Sequence, residues 1–168
     1  LGDKTGQGFY KKIKGANGKS EILSLNLKTL EYEPQQKVKS ATLEMLKPIE
    51  DLRARMKAYS KGTDKAGEFF RNSFAGLFEY VSDRIPEISD ELYRIDDAMR
   101  AGFGWELGPY EVWDAIGIAE GVEMMKKYGH ASAAWVTEML AAGNSSFYKI
   151  DNGQKLYYDI PSKSYKAI

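Results

Sequence analysis

The chain carries nearly the same ending twice. "FYKKIKGANGKSEILSLNLKTLEY", from Phe9 to Tyr32, and "FYKIDNGQKLYYDIPSKSY", from Phe147 to Tyr165, share an opening Phe-Tyr-Lys, an Asn-Gly turn and a closing Tyr. Phe9 and Phe147 lie 138 positions apart, too far for one unit of a solenoid. The spacing predicts two whole modules, each a helical body that ends in a three-stranded meander. On that reading residues 1–38 are the tail and meander of a preceding module. Residues 39–168 are a second module, with its own meander at 143–168. At 168 residues and 18.9 kDa, the length allows one domain, or one domain plus a fragment of another. Leu1 in place of an initiating Met fits a chain cut from a longer one.

Local patterning agrees with strands, then helices, then strands. "FYKKI", "EILSLNL" and "KTLEYEP" read as extended segments, with Gly15 and Asn17-Gly18 as a reverse-turn signal. Ile22, Leu23, Leu25, Leu27, Leu30 and Tyr32 give them a partial alternation. From about Lys39 to Ala142 the period becomes helical. Phe69, Phe70, Phe74, Leu77, Phe78 and Val81 predict one broad apolar face, with Thr63 or Asp64 as N-cap and Pro86 ending the helix after Arg84. Ser89 is expected to cap "DELYRIDDAMRAG". Pro109 opens "PYEVWDAIG" at the first helical position and Gly117 closes it. "IAEGVEMMKKYG" and "SAAWVTEMLAAG" follow as helices, each closed by a glycine. "SFYKI", "KLYYDI" and "SYKAI" then read as strands.

Composition removes several classes of function. Lys plus Arg equals Asp plus Glu at 24 each, which leaves no basic excess to neutralise phosphates and argues against a nucleic-acid partner. The absence of cysteine excludes disulfides and thiolate metal sites and favours a reducing, cytoplasmic setting. No apolar run approaches the roughly 18 residues that a membrane span needs.

Few residues carry chemistry. Gly6-Gln7-Gly8 lacks the preceding strand, third glycine and following helix of a dinucleotide fingerprint. His130, the single histidine, is expected at a helix end on the surface, and one histidine cannot build a triad or a metal cluster. Asp90/Arg94, Asp96/Arg100 and Glu123/Lys127 fall at i,i+4 and read as surface ion pairs. Asn144-Ser145-Ser146 matches a glycosylation acceptor without a secretion signal. No catalytic, cofactor-binding or metal-ligating residue is assigned. The densest feature is "AGFGWELGPYEVWDAIG", Ala101 to Gly117. Its glycines permit close backbone approach and its aromatics bury large areas. A core turn between helices is the plain reading. An interface built on Trp105, Pro109 and Tyr110 is the sharper one.

Two of these stretches resemble a known family. "LGDKTGQGFYKK" resembles the closing signature of the C-terminal helical domain of L-3-hydroxyacyl-CoA dehydrogenases. "IDDAMRAGFGWELGPYEVWDAIG" resembles the Gly-Pro-Phe…Asp-x-x-Gly segment of its second, tandem copy, with Tyr110 for the usual Phe. The resemblance implies a mainly α fold, a helical 6-phosphogluconate-dehydrogenase-C-terminal-like domain with small antiparallel β meanders at both ends. It implies a parent oxidoreductase of fatty-acid β-oxidation that converts L-3-hydroxyacyl-CoA to 3-ketoacyl-CoA with NAD. The family's His–Glu pair and its NAD site belong to an upstream domain, so this fragment is expected to be inactive, a substrate-cleft or interface module. His130 lies outside any matching motif, and Asn72 lies where a family asparagine occurs, in too different a context to inherit its role. Partners implied are the acyl-CoA substrate and the upstream NAD-binding domain, with room for a downstream enoyl-CoA hydratase domain and for a homodimer. The alternative is a stand-alone helical interaction module without catalysis.

Overall fold

The computed structural model describes residues 2–5, 8–15, 18–36 and 38–168. Gly6, Gln7 and Asn17, weighed above for a phosphate loop and a turn, and Leu1 lie outside the described residues. The chain forms two compact units, Leu1–Lys39 and Ser40–Ile168.

The first unit is an antiparallel sheet of three strands, β1 (Tyr10–Lys14), β2 (Ser20–Leu25) and β3 (Tyr32–Pro34), in the order β1-β2-β3. Tyr10 pairs with Ser24, and Leu25 with Tyr32. Gly18 takes φ of 73° and donates to the Gly15 carbonyl at 2.9 Å, closing the first turn. Leu27 and Leu30 fall in the second turn instead of on a strand, and are 69% and 70% exposed. There the Asn26 side chain accepts from the Lys28 and Thr29 amides, a local turn that competes with the extended ladder.

The second unit has seven helices and a second meander. The helices are α1 (Ala41–Leu46), α2 (Leu52–Ser60), α3 (Lys65–Asp83), α4 (Leu92–Phe103), α5 (Pro109–Ile116), α6 (Ile118–Lys127) and α7 (Ala134–Ala141). The strands β4 (Tyr148–Asp151), β5 (Gln154–Asp159) and β6 (Ser164–Ala167) run antiparallel in sequence order. Both repeated stretches are therefore three-stranded meanders on a mainly α protein.

Helix ends follow side-chain chemistry. Asp64 caps α3 by accepting from the Ala66 and Gly67 amides at 3.2 Å. It also takes the Ser40 hydroxyl at 2.6 Å and the Thr42 amide at 3.1 Å, so one carboxylate joins two helix starts. These donors, Ser40 first, hold it well below the usual carboxylate range. Pro109 occupies the first position of α5, and Gly117 ends it. Ser89 does not cap α4. Its hydroxyl donates to the Glu91 carbonyl and accepts from the Glu91 amide, and the helix starts two residues later than expected, at Leu92, with Glu91 at the cap position.

The core gathers around α5. Trp113 stacks on Phe78 of α3 with centroids 4.5 Å apart and planes 7° apart, and both are fully buried. Phe147, also fully buried, meets Tyr110 and Trp113 edge-on at 5.0 and 5.2 Å. Of the six apolar residues predicted for one face of α3, Phe69 is 71% exposed. It sits about 100° round the helix from Phe70, on the line of Ser73 and Gly76.

Candidate functional site

The aromatic turn from Ala101 to Gly117 is built by the end of α4 meeting the start of α5. Gly104 takes φ of 66° and caps α4, its amide donating to the Arg100 carbonyl at 3.0 Å. The chain then reverses into α5 through Gly108. A Cβ at Gly108 would lie 2.3 Å from Cβ and Cγ of Asp96, so only glycine lets the two helices come this close.

Asp96 fastens that crossing. Its carboxylate accepts from the Tyr110 amide at 2.9 Å, the Glu111 amide at 3.1 Å and the Tyr148 hydroxyl at 2.7 Å. Two of those donors are free amides of the first turn of α5, which the helix itself cannot satisfy. The third belongs to β4. Burial pushes the Asp96 carboxyl up to about 7, against the downward pull of the Tyr148 hydroxyl and the Tyr110 amide. Asp96 is thus no surface partner of Arg100. The surface pairs form at i,i+3 instead: Glu91–Arg94, Asp97–Arg100 and Glu123–Lys126.

Two further carboxylates complete the knot. Glu111, whose side chain is 4% exposed, accepts from the Gly108 amide at 3.1 Å, closing a loop at the helix start. It is paired with Arg100, with Lys155 at 2.8 Å and with Arg53 at 3.7 Å. Burial raises its pKa, but Lys155, the Gly108 amide and Arg100 outweigh that and leave it lowered. Asp114 accepts from the Phe147 amide at 2.7 Å and the Tyr148 amide at 2.9 Å, docking the second meander onto α5. Burial pushes it up to about 6 despite those two bonds. All three carboxylates are engaged by amides, a tyrosine hydroxyl and cations. They join α4, α5 and the sheet.

Of the three residues expected at an interface, Pro109 and Tyr110 are fully buried inside the unit. Tyr110 donates its hydroxyl to the Val81 carbonyl at 2.8 Å and lies against Trp135 and Phe147. Trp105 differs. It is half-buried in the approach loop, 6.4 Å from the Phe74 ring. It lines a shallow cleft of about 210 Å³ with Leu52, Met56, Phe74, Leu107 and Val112. Phe103, 76% exposed, precedes it by two residues.

His130 is not simply a surface residue. Its Nδ1 lies 2.6 Å from Oε2 of Glu79, 51 positions away, while the other Glu79 oxygen accepts from the Ala131 amide at 2.9 Å. Those contacts, the Ala131 amide first, hold the Glu79 carboxyl below its usual value. Next to them the Ser82 hydroxyl accepts from the Ala133 amide at 3.1 Å, and the Ser82 carbonyl accepts from Trp135 Nε1 at 3.1 Å. The set clamps the loop between α6 and α7 onto α3. The cleft beside Trp105 is not lined by His130 or Glu79. Sequence reasoning had no signal for this contact, because nothing local links positions 79 and 130. Among the described residues no group of three or more His, Asp or Glu is placed to hold a metal ion. No helix among them is long and apolar enough to cross a membrane.

Comparison with known proteins adds the wider context. Residues 77–157 match the family model of the 3-hydroxyacyl-CoA dehydrogenase C-terminal domain. Over 159 residues, 95% of this chain, it is 42% identical to a probable 3-hydroxyacyl-CoA dehydrogenase of Bacillus subtilis, and it covers 20% of that protein. It is 28% identical over 112 residues to a putative fatty acid oxidation complex trifunctional enzyme of Rickettsia prowazekii, covering 67% of the chain and 14% of the relative. A protein of the same description from Rickettsia felis is 26% identical over 151 residues, 90% of the chain and 19% of the relative. The chain spans a fifth or less of the length of these relatives. No solved structure matches it.

Proposed function

We propose that this chain belongs to the 3-hydroxyacyl-CoA dehydrogenase family through a C-terminal domain, as the second helical module of a longer, NAD-dependent L-3-hydroxyacyl-CoA dehydrogenase. The whole enzyme oxidises the 3-hydroxyl of an acyl-CoA to a ketone and passes hydride to NAD, as a step of fatty-acid β-oxidation in the cytoplasm. Residues 1–38 end one module and residues 39–168 form the next. The supporting observation is that nearly all of this chain aligns with one relative at 42% identity, yet fills only 20% of it.

Within that enzyme the chain's own residues build a rigid scaffold. Asp96, Glu111 and Asp114 hold α4, α5 and the second meander in one arrangement, and their oxygens are engaged internally. No Gly-x-Gly-x-x-Gly turn between strand and helix occurs in the chain. On this reading NAD is bound by another domain of the longer enzyme, as the family resemblance implies. An enoyl-CoA hydratase domain in the same polypeptide belongs to this reading, in line with relatives described as trifunctional. Trp105, half-buried at its cleft, is the residue offered to a neighbouring domain or subunit.

The test compares the 168-residue chain with the full-length protein. The full-length protein should form NADH from L-3-hydroxybutyryl-CoA and NAD, and the chain alone should neither form NADH nor bind it. NADH formation by the chain alone, lost on His130→Ala, would overturn the assignment. So would a well-folded full-length protein that leaves every 3-hydroxyacyl-CoA unoxidised.

A further inference from the structure

A cleft of about 300 Å³ opens between the end of α3 and the start of α4, beside the turn that joins them. Val81, Ile88, Ile95, Ala98 and Met99 line it, so its walls are largely hydrocarbon. Ile88 is left 62% exposed there. Small-molecule sites have this build, an apolar wall with a few polar groups that fix orientation. The space holds about ten atoms of water size, each of which claims about 30 Å³ in a liquid.

The charged residues of the lining are of one sign: Arg84 and Arg94, with no acid. Their acidic partners lie outside the cleft. Nη1 of Arg84 is 2.6 Å from Glu87, and Arg94 is paired through Nε with Glu91. The Glu87 and Arg94 side chains are 66% and 62% exposed, so water screens both pairs and they hold the guanidinium groups weakly. Nε of Arg84 is different. Among the described residues it is the only buried side-chain nitrogen or oxygen without a hydrogen-bond partner. A donor left dry in this way is costly, and an acceptor oxygen would satisfy it. Because Glu87 takes Nη1, Nε and Nη2 remain as the two parallel donors on one edge of the guanidinium.

We infer that this cleft binds an amphiphilic anion, a free carboxylate carrying an unbranched chain of about eight to ten carbons. The chain lies against Val81, Ile95 and Met99, and the two carboxylate oxygens take Nε and Nη2 of Arg84 side by side. Arg94 supplies a second positive charge at the rim. The guanidinium rests on the Tyr80 ring, its carbon 5.5 Å from the ring centre, and Tyr80 is 57% exposed. Turning that ring towards solvent uncovers Nε for the ligand. The site does not rest on the enzymatic reading of the chain. An acyl thioester carries no charge at the carbon where a free carboxylate does, so the paired donors of Arg84 favour the free acid.

Methyl-labelled chain, titrated with decanoate below its micelle concentration and followed by nuclear magnetic resonance, tests the proposal. The Val81, Ile88, Ile95 and Met99 methyls should shift together and saturably. Decanoate should bind at least roughly 10-fold more tightly than decanol, the worth of hydrogen bonds between charged groups. From hexanoate upward, each methylene should tighten binding by up to roughly fourfold. Arg84→Gln should bring decanoate down to the level of decanol and leave decanol itself unchanged. Ala98→Trp is a second variant that keeps Arg84 in place. Ala98 is exposed on α4, so the indole should fill the cleft and abolish both ligands while the melting temperature holds. Methyls that do not respond to decanoate, or equal affinity for decanoate and decanol with a silent Arg84→Gln, would overturn the site. Tighter binding of decanoyl-CoA than of decanoate at these methyls would make the cleft a thioester site and overturn it too. So would methyls of the full-length protein that are already shifted without ligand and deaf to decanoate, since another domain would then cover the cleft.

Discussion

Gly121 and Trp113 offer a direct measurement of how tightly the core is built. A methyl added at Gly121, inside α6, would lie 2.1 Å from Nε1 and 2.5 Å from Cδ1 of Trp113. The indole has no room to retreat. Phe78 stacks on it at 4.5 Å, Phe147 meets it edge-on at 5.2 Å, and its Nε1 donates to the Ile118 carbonyl at 3.1 Å. Gly121→Ala should gain about 1 kcal/mol of helix propensity. Against that stand about 1–3 kcal/mol of overpacking and about 1 kcal/mol for the strained indole hydrogen bond. The net loss is then about 1–3 kcal/mol. Trp113→Leu should cost about 2–4 kcal/mol through the cavity it leaves. In that background the new methyl meets open space, so adding Gly121→Ala should restore about 1 kcal/mol. The two changes are therefore coupled by about 2–4 kcal/mol. Urea unfolding of all four proteins, followed by far-ultraviolet circular dichroism, measures the cycle. If Gly121→Ala costs the same in both backgrounds, the close approach does not control the stability of this core and the reasoning fails.

Stability should also depend on pH in two opposite limbs. Asp96, pushed up to about 7, and Asp114, pushed up to about 6, bind protons in the folded state that the unfolded chain releases above its carboxylate pKa of 3.8. Their contribution is present at low pH and is lost as pH rises through those folded values. Glu111, Glu79, Glu91 and Asp159 are lowered, so theirs is present above the unfolded value and lost as pH falls below it. The melting temperature should peak between about pH 4 and pH 6, and Asp96→Asn should flatten the descent from there to about pH 7, which a calorimetric pH series checks. Trp113→Ala should cost about 3–5 kcal/mol and leave the second unit largely unfolded, whereas Trp105→Ala should cost clearly less in the chain alone. In the full-length enzyme Trp105→Ala should weaken assembly, and equal destabilisation by both changes with unchanged assembly, read by sedimentation, would make the whole turn mere core.

Much of this architecture can be read along the chain because caps and turns depend on residues a few positions apart. Asp64 at the start of α3, Pro109 at the first position of α5, Gly117 at its end and the paired Phe-Tyr-Lys meanders are all local events. The aromatic turn was visible too, as a density of Trp, Tyr and Gly between Ala101 and Gly117. Its outcome was not. Which aromatics turn inward depends on where α3 and the second meander press against α5, and that contact buries Tyr110 while leaving Trp105 at a cleft. The carboxylates show the same limit. Asp96 and Asp97 are neighbours with one chemistry, but they point about 100° apart on α4. One meets the amides of α5 and is fully buried, and the other pairs with Arg100 at the surface. Likewise, the bond between His130 and Glu79 spans 51 positions and exists only because α3 passes under the loop before α7. Sequence by itself determined most of the elements, many of their ends and the repeat, since those arise within a turn of helix or a hairpin. Tertiary structure decided which polar groups are buried and what each one holds, because burial depends on faces brought together from distant parts of the chain.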